Sequence, residues 1–297
     1  MHIFLTGASG YLGSRIAERL LAAGHEVTGL VRRPGSAPGG VREMVGDLSR
    51  PDDLAGAARG TDATIHTAFG HDVDFADAVE TERVAFDAML SALPPGGTLI
   101  ATSAAGVLGD TGATPAADDA PISADFPPRI RGFIEDRVRE ASADGPRLIA
   151  MRLPVLVYGH GGSPFVPGLI EAARRDGVSR IVGDGRNRLS SVQVDDAADA
   201  YVAALDRGRA GTVYNVAAET VTGRALAEAV ATNTGVPRVE EVNLEAAQAA
   251  LHPFMALLIS MTFDLDAALV RQELDWSPQA PSLIEDLTDG SYAKEAA

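Results

Sequence analysis

Three glycines near the N-terminus have the spacing of a loop that binds a pyrophosphate. Gly7, Gly10 and Gly13 follow the apolar run HIFLT (2–6) and precede a helical pattern at 11–23. In a strand–loop–helix unit, the first glycine permits the tight turn, the second lets the backbone approach the phosphates, and the third lets the helix pack on the strand. The free N–H groups and positive dipole of the helix N-terminus would then hold the anion. The sequence therefore predicts a dinucleotide site that includes Gly7, Ser9, Gly10, Tyr11, Leu12 and Gly13.

The end of the second predicted strand indicates which dinucleotide binds. The run EVTGLV (26–31) is followed by Arg32 and Arg33, with no acidic residue there. An acid at this position grips a ribose 2′-hydroxyl, whereas an arginine matches a 2′-phosphate bidentately. We predict NADP(H), with NAD(H) as the less favoured cofactor; the alternative is that both arginines are solvated loop charges.

Composition narrows the class of protein. The chain has 297 residues, 46% of them hydrophobic, and a formal net charge of −16. Such an acidic surface repels nucleic-acid phosphates and anionic lipid. Cysteine is absent, no apolar run approaches the roughly 20 residues that span a bilayer, and the histidines and carboxylates show no metal-ligand spacing. We predict a cytoplasmic protein that binds a small molecule, with no nucleic acid, membrane or metal.

The elements that must position these residues alternate between short β-like runs and helical patterns, as βαβ units around a parallel sheet do. Strands are predicted at 2–6, 26–31, 41–45, 63–68, 97–103, 147–153, 190–194 and 211–217. Helices are predicted at 11–23, 51–59, 74–93, 128–143, 165–176 and 195–208, the last capped by Asp195, and the chain from 222 onward reads as mainly helical.

Several further motifs follow in a fixed order. They are VGDLS (45–49), IHTAF (65–69), MRLPVLVYGHGG (151–162), VGDGRNRLSSVQVDDAADAYVAAL (182–205) and ELDWSP (273–278). With the G-x-x-G-x-x-G loop, they resemble the short-chain dehydrogenase/reductase superfamily in its extended or atypical, NAD-dependent epimerase/dehydratase-like branch. The resemblance implies further cofactor contacts from Asp47, Leu48, Thr67, Ala68, Phe69, Pro154 and Val155.

The resemblance also implies a fold and a division of the chain. The fold is α/β, a Rossmann-type doubly wound parallel sheet with a smaller, mostly helical C-terminal part. Residues 1–160 would form the NADP-binding core, to which 188–218 return, and 161–187 with 219–297 would form the substrate-binding part. A homodimer paired through the helices at 74–93 and 128–143 would be typical of the family.

The sequence departs from the family where the family keeps its catalytic tyrosine and lysine. The stretch PPRIRGFIEDRVRE (127–140) contains neither residue, and the only lysine is Lys294. One alignment places Arg131 at the lysine position and Pro127 at the tyrosine position; a shift by two would use Arg129 and Asp125. Ala104 best matches the family's catalytic serine, with Ser103 adjacent.

Four residues are candidates for the catalytic roles. Arg131 would donate to ribose hydroxyls but cannot relay a proton, because its pKa is above about 12; the alternative is an ion pair with Glu135. His71 is the first candidate for a replacement acid, since histidine titrates near neutral pH; the alternative is a solvated loop histidine. Ser103 and Tyr158 are the remaining candidates.

Three functions are open at this point. The first is an NADP(H)-dependent oxidoreductase that reduces a small, hydrophobic carbonyl or enone with a non-standard proton donor. The second is a non-catalytic NADP(H)-sensing module, and the third, ranked lowest, is an epimerase or dehydratase. The apolar segment 243–269 favours an enzyme, since the resemblance implies that it closes over the substrate; the alternative is ordinary core packing.

Overall fold

The structure is a computed structural model that describes residues 1–70, 73–124, 131–141, 145–163 and 165–293. Its strands are β1 (His2–Thr6), β2 (Glu26–Val31), β3 (Arg42–Val45), β4 (Ala63–His66), β5 (Thr98–Ala104), β6 (Arg147–Leu153), β7 (Leu156–Tyr158), β8 (Ser179–Val182), β9 (Arg188–Gln193), β10 (Thr212–Asn215), β11 (Glu219–Thr222) and β12 (Val239–Val242).

Helices alternate with these strands. They are α1 (Tyr11–Ala22), α2 (Pro51–Arg59), α3 (Phe75–Ala92), α4 (Phe133–Arg139), α5 (Val166–Asp176), α6 (Val194–Arg207), α7 (Gly223–Thr234), α8 (Leu244–Ala250), α9 (Pro253–Ser260), α10 (Ala268–Leu274) and α11 (Leu283–Thr288). No helix in the described ranges is both long and apolar enough to cross a membrane.

The central sheet has seven strands in the order β10-β6-β5-β4-β1-β2-β3 within the described part of the chain. All of its neighbouring strands pair in parallel. Helices cover both faces, so inner strands such as β4 and β5 are buried on both sides. The predicted doubly wound, Rossmann-type α/β fold is confirmed.

Strand β1 shows how the sequence builds the two layers. Its side chains alternate between the sheet faces. Ile3 and Leu5 pack in a core with Ile16 of α1, whereas Phe4 packs on the opposite side with Leu54 of α2. All of these side chains are fully buried. The loop that leaves β1 is therefore held rigidly between the two layers.

After β6, the chain leaves the central sheet and returns to it once, with β10. Helix α6 packs on α1, and β10 extends the central sheet beside β6. A three-stranded sheet, β11-β9-β7, and the pair β12-β8 lie outside the central sheet. The predicted domain boundaries stay a prediction, although the return of β10 agrees with them.

Several local predictions differ from the structure. The prediction missed β7, β8, β11 and β12, which are only three or four residues long. Asp195 was the predicted cap of α6, but the side chain of Gln193 accepts the N–H of Asp195 and caps the helix. Asp195 lies in the first turn, where its carboxylate binds Arg15. The helix predicted at 128–143 is observed at Phe133–Arg139; positions 128–130 and 142–144 lie outside the described residues.

Candidate dinucleotide-binding site

A large cavity lies where the strand order reverses. The chain leaves β1 toward β2 on one side, while β4 lies on the other, and doubly wound sheets bind ligands at such a point. The cavity has a volume of about 980 Å³, near the upper end of the range for small-molecule sites. It is lined by Gly7, Ser9, Gly10, Tyr11, Leu12, Gly13, Leu30, Arg32, Gly46, Asp47, Leu48, Ser49, Thr67, Ala68, Phe69, Gly70, Val73, Ala78, Thr81, Leu153, Val157, Gly162 and Ser163.

The glycine loop fits an anion at the N-terminus of α1. Gly7 has a φ of 77°, and a Cβ on Gly13 would lie 2.0 Å from the Gly7 carbonyl oxygen. The loop therefore requires glycine at both positions. Helix α1 has no side-chain cap at Gly10 and no acidic residue in its first turn. Its first N–H groups thus remain available for a pyrophosphate.

Charged residues after β2 and β3 line the far end of the cavity. Arg32 is exposed and lines the cavity, whereas Arg33 is exposed but does not line it. The carboxylate of Asp47 accepts the N–H of Ser49 at 2.9 Å. That hydrogen bond, with Arg32 nearby, holds the pKa of Asp47 below its usual value, so an anionic acceptor and a guanidinium stand together here.

The loop that follows β7 closes one side of the cavity. Tyr11 donates its hydroxyl to the Gly159 carbonyl at 2.9 Å, and Tyr292 donates to the Gly162 carbonyl. Burial, together with the nearby Tyr292, raises the pKa of Tyr11 well above its ordinary value. Tyr11 therefore shapes the cavity and is a poor proton donor. Gly162 and Ser163 were missed by sequence reasoning, although the run GHGG was a signal for a loop approaching a ligand.

Arg131 lies beside the cavity in an ion pair. Its guanidinium donates to both carboxylate oxygens of Glu82, at 2.7 and 2.8 Å, and covers the ring of Phe69 at 4.3 Å. Glu82 is 1% exposed. The alternative predicted pair with Glu135 is wrong, because Glu135 binds Arg139 and Arg152. Arg131 contacts a residue that lines the cavity, and its ribose-binding role stays a prediction.

A family model provides the decisive comparison. The model described as the NAD dependent epimerase/dehydratase family matches residues 3–217, which include the glycine loop and all of the central sheet except His2. The chain belongs to this family. Family members depend on a nicotinamide dinucleotide, which the cavity and its glycine loop fit.

Individual proteins extend the comparison. An uncharacterized protein of Schizosaccharomyces pombe is 33% identical over 302 residues, covering 98% of this chain and 100% of that protein. The 2-alkyl-3-oxoalkanoate reductase of Stenotrophomonas maltophilia is 30% identical over 266 residues, covering 81% and 78%. The solved structure of DesIV, a dTDP-glucose 4,6-dehydratase from Streptomyces venezuelae, aligns with a TM-score of 0.76 at 22% identity, covering 98% and 96%. It shows a shared fold.

Within this epimerase/dehydratase fold, two hydroxyls predicted to be catalytic do not reach the cavity. Ser103 is 1% exposed and donates to buried Glu135 at 2.6 Å. Tyr158 donates to the Pro281 carbonyl at 2.7 Å, and burial raises its pKa well above its ordinary value. Both hydroxyls serve internal contacts, so the structure does not support a catalytic role for either one.

The other predicted site residues fall into two groups. Pro154 and Val155 are buried between two residues that line the cavity, Leu153 and Val157, without lining it themselves. His71 lies outside the described residues. The cavity residues that the sequence analysis missed are Leu30, Gly46, Ser49, Gly70, Val73, Ala78, Thr81, Leu153, Val157, Gly162 and Ser163.

A buried histidine fixes the loop after β4. The Thr6 hydroxyl accepts the N–H groups of Thr67 and Ala68 and lies 2.7 Å from His66 Nδ1. We assign the Thr6 proton to this last contact, which places the His66 proton on Nε2. That nitrogen is 3.7 Å from Glu82 and has no hydrogen-bond partner in the described part of the chain. His66 thereby ties β1 to the loop that lines the cavity.

We expect the protein to lose stability in mild acid because of His66. Burial, with Arg131 adding to it and Glu82 opposing it, lowers the pKa of His66 from 6.5 to about 4. In the unfolded chain the His66 imidazole therefore takes up a proton near pH 6.5, whereas in the folded chain it stays neutral until about pH 4. The contribution of His66 to the free energy of unfolding should be fully present above pH 6.5, and it should fall by about 3 kcal/mol as the pH drops from 6.5 to about 4.

The prediction is checked with His66→Asn, which keeps a polar partner for Thr6. Urea unfolding at several pH values between 7.5 and 4 should give wild-type protein the steeper loss of unfolding free energy. The gap between the two proteins should narrow by about 3 kcal/mol across the window. Parallel curves for the two proteins would show that His66 does not titrate as a buried group.

Proposed function

We propose that this protein is an NADP(H)-dependent oxidoreductase that reduces a small, hydrophobic carbonyl or enone compound. One observation carries the proposal: the cavity joins a glycine cradle at the start of α1 to an exposed arginine at the end of β2. The cradle suits a pyrophosphate, and Arg32 suits a ribose 2′-phosphate. Family membership supplies the dependence on a nicotinamide dinucleotide.

The chemistry divides between cofactor and chain. A bound nicotinamide supplies hydride. The chain's own contribution is to orient the substrate and exclude water, for which Phe69, Val73, Leu153 and Val157 provide apolar walls. A proton must reach the reduced product, and we assign that role first to His71. Gly70 and Val73, which flank His71 and Asp72 in the sequence, both line the cavity.

Relatives support reduction over epimerisation. Besides the 2-alkyl-3-oxoalkanoate reductase of Stenotrophomonas maltophilia, a relative in Stigmatella aurantiaca is named as a quinoline-1-oxide ketoreductase. Both names describe reduction of a keto group on a molecule with an alkyl or farnesyl substituent. We extend the reaction class, and not the individual substrates, to this chain. A cytoplasmic location and a homodimer remain parts of the same proposal.

A specific observation keeps the sensing module as a second candidate. The hydroxyls of Ser103, Tyr158 and Tyr11 all donate hydrogen bonds to acceptors inside the protein. If His71 does not supply a proton, the remaining hydroxyls of the described cavity wall are aliphatic, such as those of Ser9 and Thr81, and Thr67 donates its hydroxyl to the Thr6 carbonyl. A protein of that kind would bind the cofactor without rapid turnover.

Two measurements separate the candidates. NADPH binding is measured first by fluorescence, followed by NADPH consumption with a panel of enones, aldehydes and ketones. Saturable binding with turnover of at least one panel member supports the reductase, and His71→Ala should then lower kcat more than KM. Saturable binding with no turnover across the panel would favour the sensing module. If the protein binds neither NADPH nor NADH, the reductase and the sensing module are both wrong.

A further inference from the structure

Three aromatic rings run outward in a row from the dinucleotide cavity. Phe69 lines the cavity, its ring lies 5.9 Å from that of Phe75, and the Phe75 ring lies 6.2 Å from that of Phe254. We call these three residues the aromatic row. Phe75 begins α3 and Phe254 lies in the first turn of α9, so the row joins the cavity to the C-terminal part of the chain.

The outer part of the row is unusually exposed. Phe75 and Phe254 are each 36% exposed, and neighbouring Val73, which also lines the cavity, is 59% exposed. Other apolar residues of α9, including Met255, Leu258 and Ile259, are buried in the core. Phe254 is therefore not needed to anchor its helix. Apolar surface that continues from the mouth of a cavity is typical of a ligand-binding surface.

Charges around the row indicate what kind of ligand suits it. The cation over Phe69 belongs to Arg131, which is already paired with Glu82. Asp74 and Asp77 stand at the first turn of α3 beside Phe75, and like charge disfavours an anion there. An uncharged, apolar group is what this surface can bind with least loss of solvation.

We infer that the aromatic row binds the apolar tail of the substrate and sets its specificity. The carbonyl end reaches the cavity beside Phe69, and an extended alkyl or ring-bearing tail lies along Phe75 and Phe254. The inference rests on the proposed reductase function for the meaning of the carbonyl end. It names the substrate class as uncharged carbonyl compounds with a medium-length apolar tail, rather than phosphorylated or sugar-linked ones.

The test uses alk-3-en-2-ones of four to ten carbons and measures binding separately from turnover. The chain has no cysteine to react with an enone. Calorimetric titration is done on the full chain with and without NADP⁺, and NADPH oxidation is followed with the same compounds. We expect affinity to rise roughly threefold to fourfold with each added CH₂ until the row is covered.

Matched variants assign that gain to the row. Phe75→Ala and Phe254→Ala should each weaken binding of the ten-carbon compound about tenfold and leave the four-carbon compound within about twofold. Phe254→Leu should be intermediate. Val84→Ala is the control, because Val84 is 38% exposed on the same helix as Phe75 but does not line the cavity; it should bind every compound as wild type does.

The outcomes for the two proposals are distinguishable. Affinity that is independent of chain length, or that Phe254→Ala leaves unchanged, overturns the tail site even if NADPH is bound and consumed. If Phe254→Ala instead changes only the oligomeric state in size-exclusion chromatography, the row is a protein interface and the inference is wrong. If affinity depends on chain length and these variants weaken it, but NADPH is not consumed, the tail site is supported and the reductase is contradicted.

Discussion

Arg32→Ala should lower the affinity for NADPH by about 10- to 100-fold and leave the affinity for NADH within about twofold. Arg32 lines the cavity at the end of β2, where the ribose of a dinucleotide lies in this fold. A hydrogen bond to a charged group contributes about 1.5–3 kcal/mol, and each 1.4 kcal/mol is a factor of ten in the dissociation constant. The loss should fall on the cofactor that carries the 2′-phosphate.

Arg33→Ala is the matched control for this experiment. Arg33 is the next residue and is also exposed, but it does not line the cavity. Fluorescence titrations of NADPH and NADH should show no change in preference for this variant. Equal losses for both cofactors in Arg32→Ala, or a larger effect of Arg33→Ala, would contradict the assignment of the 2′-phosphate to Arg32.

The parts of the fold that were predicted correctly have strong local signals. Strands β1, β2 and β6 were predicted with the observed bounds, because each is a run of five to seven mostly apolar residues. The glycine loop was predictable because this turn sterically requires glycine at positions 7 and 13. Strands β8 and β12 were missed although the equally short β3 and β4 were predicted, because β3 and β4 belong to the alternating βαβ series, whereas β8 and β12 pair with each other outside the central sheet.

The candidate site was less predictable because it depends on partners distant in the chain. Arg131 and Glu82 are separated by 49 positions, and the helical spacing offered only Glu135 as an alternative partner. Glu135 instead forms an ion pair with Arg152. Arg152 lies inside an apolar strand, and sequence reasoning assigned it no role. The cavity wall after β7 likewise depends on Tyr292, 130 positions beyond Gly162. Such pairings are decided by the packing of layers and leave no local pattern.

The buried ion pair beside Ser103 leads to the largest expected effect on stability. Arg152 and Glu135 are both fully buried, and the guanidinium donates to the two carboxylate oxygens at 2.6 and 2.8 Å. Arg152→Met should lower the free energy of unfolding by about 3–5 kcal/mol, because it leaves the carboxylate of Glu135 buried with Ser103 and Arg139 as its remaining partners among the described residues.

Urea unfolding measures this loss, and two further variants identify its cause. Adding Glu135→Gln to Arg152→Met should recover part of the stability, since the double variant no longer buries a carboxylate that has lost its bidentate partner. Arg83→Met removes a guanidinium from exposed pairs with Glu80 and Asp87 and should leave the unfolding curve nearly unchanged, as expected for solvated ion pairs. If Arg152→Met is as stable as Arg83→Met, the pair does not stabilise the fold. If the double variant is no more stable than Arg152→Met, the loss comes from packing around β6 and not from the weaker pairing of the Glu135 carboxylate.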